Sequence, residues 1–369
     1  MNILVVSPEY PDKYRPKYQF VKELVMALSK CGHTCYVIAP YSVTKNRHLY
    51  QTVMRESQNV VVCRPPFLSF SKLKIGNLSL SYHFRKRALY RALSKMDFTP
   101  DVIYAHFWMS AEWISDYARE KHLPLFVASG ESDISHMIDL KRFSKDISNL
   151  VSGVVCVSTK NLEESVSCGL TSHEKCKVIP NAVDKSLFCP MDRLQCRKEL
   201  RFPLDAYIIA FVGAFSDRKG LMRLSSAIGR LKDISVRSIF IGEGDQHPSC
   251  EGVLFEGKLP HCDIPKYLNA ADVFVLPTLR EGCCNAVVEA LSCGLPVISS
   301  NLPFNWNILN EKNSILVDPM DIDGLASAIS EMSDPVKRKE YGENALSSVA
   351  DLSIDRRASL ITDFIRSKL

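Results

Sequence analysis

The chain has 369 residues, of which 46% are hydrophobic and 24% charged, with a formal net charge of +5. This length is typical of two globular domains, and the balanced composition excludes a disordered or low-complexity chain. No apolar run reaches the roughly 18–20 residues that a membrane-spanning helix needs. The opening MNILVVSPEY lacks the basic and long apolar regions of a secretory signal. We therefore expect a cytoplasmic protein whose thirteen cysteines are reduced.

The first half of the sequence alternates short apolar segments with amphipathic ones. Pro16 is suited to the first turn of a helix, and the apolar residues that follow repeat at helical spacing until Gly32. The predicted strands are Asn2–Ser7, Thr34–Ala39, Val60–Cys63, Val102–Ala105, Leu125–Ala128 and Val154–Val157. Strands that alternate with helices in this way form a parallel sheet with both faces covered.

The pattern is interrupted between Pro180 and Pro203, where the segment PNAVDKSLFCPMDR is rich in turn-forming residues. We interpret this segment as a domain connection. Alternation then resumes, with a helix predicted around Lys219–Leu231 and a helical region over 321–369. The strands predicted here are Ile208–Val212, Val236–Ile241, Val253–Glu256, Val273–Pro277 and Pro296–Ser299. Two doubly wound sheets are expected to face a cleft and to bind ligands in the loops after their strands.

Residues 271–300, ADVFVLPTLREGCCNAVVEALSCGLPVISS, carry the densest set of candidate site residues. A predicted strand ends in a proline turn, and Glu281 and Gly282 follow it before a helix begins near Cys283–Asn285. Helix N-terminal amides bind phosphate or sugar oxygens, and a glycine lets a ligand approach the backbone closely. Glu289, further along the helix, can accept hydrogen bonds from both ribose hydroxyls. The same spacing is equally consistent with acidic residues that merely favour the helix dipole.

A second candidate is the turn in FVGAFSDRKGLMRL, where Arg218, Lys219 and Gly220 lie between a predicted strand and a helix. Two adjacent cations suit a diphosphate. The alternative is a solvated helix start, but cations are disfavoured at a helix N-terminus. Their position therefore favours an anionic ligand.

With these motifs in place, the sequence resembles glycosyltransferase family 4 and its relatives of GT-B fold over nearly its whole length. The resemblance rests on LSKCGHTCYVIAP, DVIYAHFW (101–108), PNAVD (180–184), RKG (218–220), GEG (242–244) and the 271–300 segment with its two glutamates. It implies an α/β fold of two Rossmann-like domains. The implied acceptor domain is 1–185 and the donor domain 186–350, with a final helix, 351–369, that crosses back to the first domain.

The resemblance also implies roles for individual residues. Glu289 would bind the donor ribose, Arg218 and Lys219 would neutralise the diphosphate, and the backbone of 256–259 would meet the base. The residues expected to act in catalysis are Glu281, Lys219, Arg218 and His106. Those expected to bind the donor are Glu289, Gly282, Cys283, Cys284, Asn285, Ala286, Gly213, Lys258 and Leu259. The implied reaction retains the anomeric configuration by front-face attack and requires neither a metal nor another cofactor.

Three departures from the family pattern affect these expectations. Ala214 stands where members often have an arginine, and the loop after the first strand, PEYPDKYRPKYQF, lacks the usual glycine pair. The segment ASGESD lacks the family histidine, so Glu131 or Asp133 is left for a polar role there. His106 matches the histidine of DVIYAHFW, although a lone histidine at a strand end is as often structural.

The excess of basic residues is concentrated between residues 55 and 95, where aromatic residues are interleaved with Arg55, Arg64, Lys72, Lys74, Arg85, Lys86, Arg87, Arg91 and Lys95. A solvated helix face explains this pattern. A surface for anionic lipid or a phosphate-bearing acceptor remains open, and with it peripheral association with the inner face of a membrane. No nucleic-acid recognition motif accompanies the charge.

Two further patterns carry less weight. Asp321-Ile322-Asp323 has the D-x-D form used by some metal-dependent glycosyltransferases, but we interpret it as a helix cap. The spacing of His247, Cys250, His261 and Cys262 fits no standard zinc site.

The sequence therefore predicts a glycosyltransferase that moves a sugar from a UDP- or GDP-sugar to a glycan or lipid-linked acceptor. Two alternatives stay open. One is a sugar-nucleotide epimerase of the same fold, and the other is a non-catalytic sugar-nucleotide-binding subunit.

Overall fold

The computed structural model describes residues 1–12, 17–44, 52–70, 74–75, 78–136, 143, 146–231 and 235–369. Pro16 and Lys72, both named above, lie outside the described residues. The chain divides into two compact units. The first comprises Met1–Val157, Asn161–Ile179 and Asp355–Leu369, and the second comprises Ser158–Lys160 and Pro180–Ile354.

The described residues before 180 alternate strand and helix, as the hydrophobic pattern predicts. The strands are β1 (Asn2–Val6), β2 (Thr34–Ile38), β3 (Tyr41–Ser42), β4 (Val53–Ser57), β5 (Val60–Cys63), β6 (Pro66–Phe67), β7 (Lys74–Ile75), β8 (Leu78–Ser79), β9 (Val102–His106), β10 (Leu125–Ser129), β11 (Val151–Cys156) and β12 (Cys176–Val178). The helices are α1 (Gln19–Lys30), α2 (Leu80–Leu93), α3 (Trp108–Glu120), α4 (Ile147–Leu150) and α5 (Thr159–Ser167).

The described part of the first unit contains an eight-stranded sheet in the order β12-β11-β10-β9-β1-β2-β5-β4. Its strands are parallel except for β4, which runs antiparallel to β5 at the edge. Residues 3–6 of β1 are fully buried, because this strand lies in the middle of the sheet and is covered on both faces. The strand order reverses between β1 and β9, the point at which doubly wound sheets bind ligands.

The second unit repeats this arrangement in a shorter form. Its strands are β13 (Tyr207–Val212), β14 (Val236–Ile241), β15 (Val253–Gly257), β16 (Val273–Leu276), β17 (Val297–Ser300) and β18 (Ser314–Val317). The helices of the remaining chain are α6 (Arg193–Leu200), α7 (Leu221–Ile228), α8 (Ile264–Ala270), α9 (Asn285–Ser292), α10 (Ile322–Glu331), α11 (Pro335–Ser348) and α12 (Ile354–Arg366). The parallel strand order is β15-β14-β13-β16-β17-β18, with the switch point between β13 and β16.

The last helix, α12, packs on the first unit. Its Phe364 ring lies 6.2 Å from the ring of Phe126 in β10, and Thr362 is 2.9 Å from Nε2 of His33. Gly153 of β11 makes room for this contact, because a Cβ there would lie 2.9–3.0 Å from the rings of Phe126 and Phe364. The end of the chain therefore completes the core of the unit in which the chain begins.

The structure confirms the predicted α/β class with parallel sheets, and it adds elements that the pattern did not reveal. Strands β12 and β18 were not predicted, because each is short and only partly buried. Helix α6 follows the turn-rich segment and is capped by Asp192, whose side chain accepts from the amide of Gln195. The helix predicted around 219–231 is shorter, since Asp217–Lys219 form a 3₁₀ turn ahead of α7.

Candidate active site

The candidate site lies in the second unit, at the switch point between the carboxyl ends of β13 and β16. The turn after β13 is joined to the loop after β16 by two contacts. The amide of Leu279 donates to the carbonyl of Arg218 at 2.8 Å, and the Thr278 hydroxyl lies 3.1 Å from the same oxygen. These contacts fix the two loops against each other and bring Arg218, Lys219 and Glu281 together.

Gly220 is required for this close approach. Its φ of 81° is in the left-handed region, and a Cβ would lie 2.3 Å from the carbonyl oxygen of Pro277. On the other side of the turn, Lys219 lies across Gly213, where a Cβ would be 3.4 Å from Cδ of the lysine. Gly220 thus lets the turn approach Pro277, and the Lys219 side chain packs against Gly213.

A compact ion cluster results. Glu281 Oε1 is 2.7 Å from both Lys219 Nζ and Arg218 Nη1, and it accepts at 2.9 Å from Thr278. Burial works to lower the pKa of Lys219, but neighbouring Cys284, 3.8 Å away, and Glu281 outweigh it, so the pKa of this amine is raised. Lys219 therefore stays charged at neutral pH, and two cations share one carboxylate.

The N-terminus of α9 adjoins this cluster. The amides of Asn285 and Ala286 precede the first intrahelical hydrogen bond and point out of the helix. Asn181, in the PNAVD motif, donates to the carbonyl of Cys283 at 3.0 Å and lies 2.6 Å from Oδ1 of Asn285. It thereby anchors the start of the helix. The remaining predicted residues of this segment, Gly282, Cys283, Cys284 and Ala286, are buried.

Glu289 lies on α9 and is only 7% exposed. Its Oε1 is 3.0 Å from Nε2 of His261, whose ring lies 5.0 Å from that of buried Phe188. The histidine therefore holds the carboxylate that the sequence assigns to the ribose.

Lys258 and Leu259 directly follow β15, one strand beyond β14 in the sheet. Lys258 Nζ donates at 2.9 Å to Glu243 in the GEG turn after β14. The GEG turn and the segment assigned to the base are thus joined at the same edge of the sheet.

His106 belongs to the first unit, whereas the other predicted site residues belong to the second. It is the last residue of β9 and 3% exposed, and its Nε2 has no hydrogen-bond partner among the described residues. Burial, aided by the charge of Arg357, lowers the pKa of His106 to about 3. Its ring is consequently neutral at physiological pH.

The D-x-D pattern is confirmed as a helix cap, since Asp321 accepts from the amide of Gly324 at 2.9 Å at the start of α10. Within the described ranges, no group of three or more His, Cys, Asp or Glu side chains is arranged to hold a metal ion. Nor does that part of the chain include a helix both apolar and long enough to cross a bilayer.

Sequence reasoning did not assign three residues that the structure brings to the site: Thr278, Asn181 and His261. Asn181 stood in a motif that was interpreted as a domain connection, and His261 was considered only as a metal ligand. No local pattern signals the roles of Asn181 and His261, because each contacts a segment that is distant in the chain. Thr278, three residues before Glu281, is the one that a search of the predicted loop could have found.

The basic stretch between residues 55 and 95 has fewer exposed cations than its composition indicates. Arg64 is buried and donates to the carbonyl of Pro11, and Lys86 pairs with Asp116 at 2.9 Å. The guanidinium of Arg85 packs against the rings of Phe67 and Trp113. The cations of this stretch that the structure describes as exposed are Arg55, Arg87, Arg91 and Lys95.

Comparison with known proteins agrees with this geometry. Residues 19–187 match the family described as Glycosyltransferase Family 4, and residues 206–334 match Glycosyl transferases group 1. A Bacillus subtilis protein named as the teichuronic acid biosynthesis glycosyltransferase TuaC is 28% identical over 349 residues, which are 89% of this chain and 88% of that protein.

Two solved structures share the whole fold. Sucrose-phosphate synthase from Thermosynechococcus elongatus superposes with a TM-score of 0.81 at 20% identity, covering 99% of this chain and 98% of the other. HepE from Anabaena, solved with UDP and glucose, gives a TM-score of 0.71 at 19% identity, with both chains covered completely. The two family matches, the Bacillus relative and the shared fold together identify the chain as a glycosyltransferase of GT-B fold that belongs to the family 4 and group 1 type.

Proposed function

We propose that this glycosyltransferase moves a sugar from a UDP- or GDP-sugar to a glycan or lipid-linked acceptor in the synthesis of a polysaccharide or glycolipid. The observation that carries the proposal is the cluster at the switch point, where Lys219 and Arg218 share the carboxylate of Glu281 beside the start of α9. The name of TuaC and the UDP bound to HepE support this donor and product class.

The leaving group of such a reaction is a nucleoside diphosphate, and negative charge develops on its phosphate as the glycosidic bond breaks. Preorganised donors that face this charge lower the barrier. Lys219 is held by Glu281 and keeps its proton, while the amides of Asn285 and Ala286 add partial positive charge at the helix terminus. In the proposed complex the diphosphate displaces part of the contact between Glu281 and the cations.

Glu289 and His261 form the proposed ribose subsite. A carboxylate can accept from two vicinal hydroxyls, and the contact to His261 fixes its rotamer before the donor arrives. The turn after β14 and Lys258 would then adjoin the base, since both follow neighbouring strands of the same sheet.

We further propose that transfer proceeds with retention and that these cations, rather than a metal ion, stabilise the leaving phosphate. An oxocarbenium-like state with the acceptor hydroxyl entering beside the departing phosphate requires no covalent intermediate. Support comes from the position of two positive side chains and a helix N-terminus on one side of the proposed phosphate site.

The test is release of nucleoside diphosphate from the sugar nucleotide, with and without acceptor and EDTA, while NMR reports the anomeric configuration of the product. We expect release that depends on acceptor, survives EDTA and yields the configuration of the donor. Conversion of the donor sugar without acceptor would instead favour an epimerase. Loss of activity with EDTA, or an inverted product, would refute the corresponding part of the proposal.

A further inference from the structure

Arg85 of α2 is a largely buried cation that the proposed chemistry does not use. Its guanidinium carbon lies 4.7 Å from the ring centre of Phe67 and 4.9 Å from that of Trp113, and both rings are buried. Within the described residues, Arg85 makes no hydrogen bond or ion pair. A guanidinium packed against aromatic rings keeps its N–H groups in its own plane, where they can receive a flat or forked anion.

Two groups near the switch point of the first sheet act electrostatically on Arg85. Burial lowers the pKa of its guanidinium, and Glu9 and Tyr18 oppose that shift. Both residues belong to the segment between β1 and α1, at the carboxyl end of the central strand. A cation that has lost water without gaining a close acceptor is costly unless a ligand supplies one.

Beside Tyr18 lies a cluster of aromatic rings. The ring of Tyr18 is 5.6 Å from that of Phe20 and 6.0 Å from that of Phe107, and Phe20 is 6.3 Å from buried His106. Tyr18, Phe20 and Phe107 are half-buried, so their rings reach the surface of the unit. Such an apolar wall with a few polar groups at its margin is typical of a small-molecule site.

We propose that Arg85 binds a phosphate group of the acceptor, while the Tyr18–Phe20–Phe107 rings contact the sugar or prenyl part next to that phosphate. This inference rests on the proposed transfer reaction and names the chemistry of its acceptor: a phosphate ester on a soluble sugar or on a polyprenyl lipid. The forked guanidinium suits two phosphate oxygens at once. Phosphate recognition is thereby assigned to one partly buried residue rather than to the exposed cations of α2.

The test compares Arg85→Met, whose aliphatic stem still fills the space between Phe67 and Trp113, with Arg91→Met on the exposed side of the same helix. Both variants lose one positive charge. The probes are inorganic phosphate, glucose 1-phosphate, and undecaprenyl phosphate in detergent micelles. Binding to the full chain is followed by calorimetry and by tryptophan emission, because Trp113 contacts Arg85 directly.

We expect at least one phosphate ester to bind, with affinity weakened about tenfold or more in Arg85→Met and unchanged in Arg91→Met. Binding of glucose 1-phosphate identifies a soluble acceptor, and binding of the lipid alone identifies a membrane one. Equal affinity in wild type and Arg85→Met, equal losses in both variants, or no binding of any probe to wild type would overturn the proposal.

A sugar-nucleotide thermal-shift panel on Arg85→Met separates the two proposals. Donor-induced shifts equal to those of wild type show that the variant is folded and its donor site intact. If the panel shifts neither protein while the phosphate ester still depends on Arg85, the donor assignment fails and the Arg85 site stands.

Discussion

The two ends of the second sheet both hold buried ion pairs, yet they differ in what those pairs leave available. At the amino end, Asp272 lies 2.6 Å from Arg197 and 2.7 Å from Arg193, and it accepts from the amide of Ile208 at 2.7 Å. Arg197 also donates hydrogen bonds to the backbone carbonyls of Ala270, Leu204 and Ala206. With side chains 3% and 4% exposed, Arg197 and Asp272 form a closed network.

At the carboxyl end, fewer of the hydrogen-bond donors have an acceptor among the described residues of the protein. Glu281 is contacted by Arg218 and Lys219, and beside these cations the amides of Asn285 and Ala286 precede the first hydrogen bond of α9 and face away from the helix. Donors therefore outnumber acceptors at this end. We therefore interpret the Arg197–Asp272 pair as structural and the Lys219–Glu281 cluster, with the helix amides beside it, as suited to ligand binding.

The largest effect on stability is expected from Asp272→Ala, which leaves Arg197 buried without its carboxylate. The free energy of unfolding should fall by about 3–5 kcal/mol, measured by urea denaturation. Glu199→Ala, which removes an exposed pair with Lys266, is the control and should leave the free energy of unfolding nearly unchanged. If the two substitutions lowered the free energy of unfolding equally, the buried pair would be no more important for stability than the exposed one, which would contradict the prediction.

Lys219→Met tests the other end of the sheet. Turnover should fall about 10²–10³-fold, as when one preorganised transition-state donor is lost, with the protein still folded. The rate of nucleoside diphosphate release measures this effect, and Lys266→Met serves as a control that removes an exposed lysine. A variant that unfolds like Asp272→Ala, or that retains full turnover, would show that the Lys219 cluster is structural.

Asn181→Ala should have a smaller effect, because it loosens the start of α9 without removing a charge. We expect kcat/KM for the donor to fall about tenfold, as for the loss of one or two hydrogen bonds, with KM rising more than kcat falls. Steady-state kinetics on this variant and on Asn344→Ala, at a half-buried residue whose amide donates to the carbonyl of Lys312, provide the comparison. A lowered melting temperature with unchanged KM would mean that the anchor is structural only.

Glu131 is an acid that, among the described residues, has no cation partner, unlike Asp272 and Glu281. The substitution Glu131→Gln tests how such an acid affects stability. Glu131 accepts from the amides of Trp108 and Gly130, and burial raises its pKa to about 7. The native protein thus holds this proton more tightly than the unfolded chain, so stability should decline as pH rises from about 4.5 to 7.

In Glu131→Gln that decline should flatten, because an amide does not titrate. Urea denaturation at several pH values in this interval measures it, with Glu340→Gln at an exposed position as the control. The same pH slope in wild type and Glu131→Gln would contradict the assignment of the raised pKa to Glu131.

The sequence indicated the central strands well, because each is a run of apolar residues covered on both faces. The edges were less predictable. Strand β18, with only Ser314 buried, and helix α6, which follows a turn-rich segment, lack the strong periodicity of the interior. Their positions are fixed by neighbours that are distant in the chain.

The candidate site shows the same division. The turn with Lys219 and the segment with Glu281 were identified by residue type and by position after a strand. The contact of Lys219 with the carboxylate of Glu281 follows from the sheet order, which pairs β13 with β16 although other elements lie between them in the chain. The contacts of Asn181 and His261 depend on tertiary packing, so no local pattern could predict them.

The roles proposed for the phosphate and ribose residues all depend on donor binding at the carboxyl edge of the second sheet. A thermal-shift panel of UDP-, GDP-, ADP- and CMP-sugars on wild type and Glu289→Ala tests it directly, because a ligand that binds the native state raises the melting temperature. We predict a shift with a UDP- or GDP-sugar that is lost in Glu289→Ala. A shift of equal size in both proteins, or none with any sugar nucleotide, would contradict the assignment of this site to the donor.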